Sequence, residues 1–131
     1  MRIFTSKAFA RFAKREGIPD SALWRAIGEV ERGLIDADLG GGVIKKRIAR
    51  AGQGKSGGFR TMLVYRQGER AFFVHGFAKR DRANIGTDEL VALRVLAGQL
   101  LAYDNAAIAK ALSVAALIEV KRDENDEEGT A

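Results

Sequence analysis

The chain has no cysteine, one proline, one histidine and one tryptophan among its 131 residues. Without cysteine there are no disulfides and no thiolate metal sites, which agrees with a reducing cytoplasm, the expected location. A lone histidine cannot build a histidine-rich metal set, and the β-forming region holds no paired acids. Neither a zinc site nor a two-carboxylate hydrolase is therefore expected, and no metal or cofactor is assigned. No apolar run approaches the roughly 20 residues of a membrane span. The opening stretch, MRIFTSKAFARFAKREG, lacks the apolar core and small-residue cleavage site of a signal peptide.

Acid is scarce in one region above all. Residues 43–82 hold eleven lysines and arginines against only Glu69 and Asp81, a net +9 in a chain whose total is +5. The remainder is net negative. A basic surface of this density points to a long anionic partner, and RNA is the expected one. A hydrophobic content of 47% is ordinary for a globular core, and the length fits a single domain over residues 1–120. Residues 121–131, KRDENDEEGTA, carry five acids and almost nothing apolar, so a disordered acidic tail is expected there.

The periodicity outlines an α+β domain. Residues 2–5 read as a short strand. Thr5 or Ser6 then caps a helix whose Phe9, Phe12 and Ala13 fall at i, i+3, i+4. Gly17 ends it, and Asp20 or Ser21 starts a second helix with Leu23, Ile27, Val30 and Leu34 along one side and Trp24 as a core anchor. Residues 39–42, LGGG, break the pattern. Strands follow at 43–50, 59–66 and 70–79, the last two joined by a tight turn at Gly68, so they must pair antiparallel. A helix begins at Thr87 or Asp88, breaks near Asp104 and Asn105, and gives way to a short apolar stretch, LIEV, read as a last strand. The expected fold is a small antiparallel sheet of three to five strands, covered on one face, packed on two N-terminal helices and followed by a C-terminal helix.

The tripeptide Gly54-Lys55-Ser56 invites a phosphate-loop reading, which fails. The earlier glycine of that motif would fall at Ala49, and a strand follows where a helix should. Alternation places Arg60, Met62, Val64 and Arg66 on one side of their strand. Lys45 and Arg47 share a side with Val43 and Ala49, and Phe73, His75, Phe77 and Lys79 share one of theirs. Lys45, Arg47, Arg60 and Lys79 are expected to converge at one end of the sheet. His75, between phenylalanines, reads as a packed core residue. A cationic site of this kind can still cut RNA, which supplies its own nucleophile in the 2′-OH. A lysine crowded by cations can act as base, and arginines can clamp the phosphate.

The K-x-R of Lys45–Arg47, the GKSGGFR of 54–60 and the GFAKRDRANI of 76–85 carry a resemblance. With them the chain, over about residues 1–120, resembles the RelE/HigB-like toxins of bacterial type II toxin–antitoxin systems, within the RelE/ParE superfamily. The resemblance implies a small antiparallel sheet with two N-terminal helices and a cognate antitoxin as partner. It implies growth arrest by entry into the 30S A site of the ribosome and metal-independent cleavage of mRNA there by 2′-OH attack. It also implies contact with operator DNA only through the antitoxin complex.

By the same resemblance Arg60 stabilises the transition state. Lys45 and Arg47 are the basic residues of the preceding strand, one of them the base, with Lys46 replacing either if the register moves by one. Lys79, Arg80 and Arg82 form the cationic end of the last strand, and Lys55 belongs to the subgroup signature. Lys45, Arg47, Arg60 and Lys79 are thus the expected catalytic set. Lys46, Lys55, Arg80 and Arg82 are the expected RNA-binding set. The stretch ANIGT lacks the tyrosine or histidine that some relatives place there to stack on a base. Two other readings share the fold: a ParE-like inhibitor of DNA gyrase, and an inactive relative that only binds RNA.

Overall fold

A computed structural model describes residues 1–122 apart from 51, 53 and 83, and only the backbone of 55 and 56. The expected tail therefore lies, from 123 onward, outside the described residues. The elements run β1 (Arg2–Ser6), α1 (Lys7–Glu16), α2 (Asp20–Glu31), β2 (Ala37–Gly40), β3 (Val43–Arg50), β4 (Gly54–Arg66), β5 (Arg70–Ala78), α3 (Thr87–Leu101), α4 (Asn105–Ser113) and β6 (Leu117–Val120). No helix among these residues is long and apolar enough to cross a membrane.

The alternating stretch of 43–78 folds as its pattern requires. β4 pairs antiparallel with β3 on one side and with β5 on the other. The sheet is larger than expected, with six strands in the order β2-β3-β4-β5-β1-β6. It is also mixed, because β1 runs parallel to β5. β2 occupies part of the stretch that reads as a helix break. Its hydrogen bonds to β3, rather than any apolar alternation of its own, make it a strand.

Helices cover both faces, not one. The central strands carry large apolar side chains on each side, so each side needs a cover. Phe59, Leu63 and Phe73 pack with Phe9, Phe12, Leu23 and Ile27 under α1 and α2. Met62, Val64 and Phe72 pack with Leu93, Ala97, Leu100 and Ile108 under α3 and α4. Ser6 caps α1 by accepting from the Phe9 amide at 3.1 Å, and Asp104 caps α4 by accepting from the Ala107 amide at 2.8 Å. The cap of α3 is different from the expected Thr87 or Asp88. Gly86 precedes the helix, and its N–H donates to the Glu89 carboxylate at 3.0 Å.

A bulge corrects the face assignment of β5. Met62 pairs with His75, but Leu63 pairs with Phe73, so Val74 is the extra residue. Phe73 thereby drops to the α1 side and stacks on Phe9 at 5.2 Å. His75 and Phe77 stay on the α3 side. Gly76 faces α1 and lets it approach: a Cβ there would meet Phe12 Cε2 at 2.6 Å.

A cationic row on the α3 face of the sheet

The register builds the candidate nucleic-acid interface. Arg47 is directly opposite Arg60, and Arg60 is directly opposite Phe77. One step along, Lys45 faces Met62, and Met62 faces His75. Met62 and Phe77 belong to the core under α3, so strand alternation puts Lys45, Arg47, Arg60 and His75 on that same face. Lys79 follows Phe77 by two residues, is exposed, and its N–H donates to the Gly58 carbonyl at 3.2 Å. Gly58 is required there, because a Cβ would lie 2.1 Å from the Ile48 carbonyl oxygen.

The other expected contacts separate from this row. Lys46 points to the opposite face and is only 3% exposed. Its Nζ pairs with Glu29 at 2.7 Å and donates to the Leu34 carbonyl at 2.8 Å. It ties α2 to the sheet and offers no open charge to RNA, so it falls out of the RNA-binding set. Arg80 also turns to the α1 face, where Glu16 Oε1 accepts from both Arg80 at 2.9 Å and Arg50 at 3.0 Å. Arg82 does join the α3 face, its guanidinium 4.8 Å from the Phe77 ring centre. The side chain of Lys55 lies outside the described residues.

Carboxylates from distant parts of the chain hold much of this charge. Asp36 accepts from the Arg47 backbone N–H and from its Nε, each at 2.6 Å. Burial works to raise the Asp36 carboxyl, but the Arg47 bonds outweigh it, and the group sits below the ordinary aspartate range. Glu89 binds Arg82 through both oxygens, Oε1 to Nη2 and Oε2 to Nη1, the latter at 3.2 Å. That bond, helped by the Gly86 N–H, takes Glu89 down to about 2. Lys45 and Lys79 have no ion pair among the described residues. Arg60 is a buried residue, 8% exposed.

His75, expected as a packed core residue, is a border residue. Its side chain is 29% exposed and its Nε2 lies 3.5 Å from Glu89 Oε2. Burial lowers its pKa; Glu89 opposes this and Arg82 adds to it. Nothing in the local sequence joins Asp36 to Arg47 or Glu89 to His75, because both contacts are made only by the folded sheet.

A model of the RelE toxin of the RelE/RelB toxin–antitoxin system matches residues 1–120. The chain belongs to the RelE toxin family. It is thus the toxin of a toxin–antitoxin system, with a cognate antitoxin as its partner. Comparison with curated proteins finds no match. Within a RelE-type toxin the cationic row lies on the α3 face of the sheet, where Glu89 from the first turn of that helix reaches His75 and Arg82.

Proposed function

We propose that this RelE-family toxin is a ribosome-dependent mRNA endonuclease that promotes 2′-OH attack on the scissile phosphate without a metal. The carrying observation is the in-register row of Arg47 and Arg60, with Lys45 one step away on the same face. Arginines paired across neighbouring strands can offer guanidinium donors to the oxygens of a phosphodiester and to the extra charge of its phosphorane. Of Lys45 and Arg47, only the lysine can exchange a proton, since a guanidinium stays charged in proteins. Lys45 therefore moves protons and Arg47 binds. Lys79 and Arg82 extend the row toward neighbouring phosphates.

The buried position of Arg60 supports dependence on a large body. A site this recessed gains most when the RNA is bent and held against it, which the 30S A site can do. Inducing the chain in bacteria, with and without its antitoxin, tests the proposal. Growth arrest with mRNA 5′ ends in codon phase is the expected result. Arrest with DNA-damage induction and intact mRNA would instead establish a gyrase poison.

A further inference from the structure

His75 is the single histidine of the chain, and it stands beside the cationic row. Its Nε2 is enclosed and makes no hydrogen bond. The side chain as a whole is 29% exposed, and Nδ1 is not one of the enclosed atoms left without a partner. The imidazole thus turns Nε2 toward Glu89 and has Nδ1 on the other side of the ring. Glu89 Oε2 stands between two donors, Arg82 Nη1 at 3.2 Å and His75 Nε2 at 3.5 Å. Arg82 has the better contact in the free protein. Its side chain is 37% exposed, however, and exposed pairs of this kind are weak enough for a phosphate to compete.

We propose that Glu89 is passed from Arg82 to His75 when RNA binds, and that His75 Nδ1 is then the base that takes the 2′-OH proton. This rests on the endonuclease reading. A phosphodiester draws the Arg82 fork onto its own oxygens. Glu89 turns to accept from His75 Nε2–H, which fixes the tautomer and leaves the Nδ1 lone pair free. The 2′-oxygen forms its bond to phosphorus as its proton passes to Nδ1. The bond from phosphorus to the 5′-oxygen breaks, and that oxygen takes a proton from the Lys45 ammonium. The products are a 2′,3′-cyclic phosphate and a 5′-hydroxyl, and solvent restores both protonation states. Glu89 is a positioning residue, and His75 is the catalytic one.

The charged groups that act on the ring are Glu89 from α3 and Arg82 from the connection before it, while Arg60 and Lys45 share its face of the sheet on neighbouring strands. Removing Glu89 takes away the one group that favours imidazolium. Removing Arg82 takes away an opposing cation and frees Glu89. The His75 pKa, read by NMR titration of the purified chain, is therefore expected to fall in Glu89→Gln and to rise in Arg82→Gln. Cleavage of mRNA on programmed ribosomes is then followed against pH. The acid limb is expected to track the NMR value in each variant, moving to lower pH in Glu89→Gln while the plateau drops. His75→Gln is expected to lose roughly 100-fold or more in rate with ribosome binding unchanged.

Wild-type cleavage in His75→Gln, or an acid limb that stays still while the NMR value moves, would overturn the assignment and leave the endonuclease reading standing. No cleavage by the wild-type chain would remove both, even with the pair coupled by NMR.

Discussion

Arg47 and Arg60 lie directly across from each other on β3 and β4, two like-charged side chains on neighbouring strands. Such a pair is unfavourable on its own. Asp36 makes it tolerable by bonding the Arg47 side chain and backbone together, from just before the edge strand. Replacing Asp36 with Asn keeps the shape and removes the charge. The expected cost is about 1 kcal/mol in urea unfolding, because Arg47 remains partly solvated. The carboxyl of Asp36 lies below its ordinary range, so its contribution is present above the unfolded value. It is lost as pH falls through the folded one, and the wild type and Asp36→Asn are expected to converge in acid.

Lys46 separates a structural role from an RNA-binding one. Lys46→Ala leaves Glu29 in a site where its side chain is 18% exposed, and about 3 kcal/mol of stability is expected to go with it. The double change Lys46→Met with Glu29→Leu is expected to recover most of that loss in thermal or urea unfolding. Ribosome binding by the double variant is expected at wild-type level. A binding loss there would return Lys46 to the RNA surface.

Gly76 sets how closely α1 sits on the sheet. Gly76→Ala presses a methyl group into the Phe12 ring, which is itself packed edge-on against Phe59 at 5.8 Å. Overpacking of this kind costs about 1–3 kcal/mol, read as a lower Tm by calorimetry. Phe12→Leu in the same chain is expected to relieve part of it.

His75 gives stability a pH dependence with a definite sign. Burial holds its folded pKa below the unfolded value of 6.5. Between those two values the unfolded chain binds more protons, so stability falls as pH drops through about 6.5 toward the folded pKa, and is steady above that window. No other side chain has its ordinary pKa in this range. The slope of unfolding free energy against pH is expected to vanish in His75→Gln.

Much of this was legible along the chain. The alternation of 43–50 and 59–66 was strong enough to give both strands and to put Lys45 with Arg47, but parity alone could not join Arg60 to them, which the strand register does. The start of α1 at Ser6 and the break before α4 followed from capping chemistry. What depends on partners was not legible. β2 has no apolar alternation, and although residues 2–5 read as a strand, nothing in them showed that β1 joins β5 in parallel across the 63 residues between Ser6 and Arg70. The bulge at Val74 moved Phe73 to the other face, since period two fails wherever one residue is extra. The charge count over 43–82 also overstated the open charge. Glu16, Glu29, Asp36 and Glu89 come from outside that stretch and pair with five of its cations.

The most direct measurement is the end chemistry of a defined mRNA incubated with the purified toxin and programmed ribosomes. The account predicts cleavage in the A-site codon without added metal, leaving a 2′,3′-cyclic phosphate and a 5′-hydroxyl, and lost in Lys45→Gln and Arg60→Gln variants that still fold. Intact mRNA with toxin bound to the ribosome, or a 5′-phosphate at the cut, would contradict it.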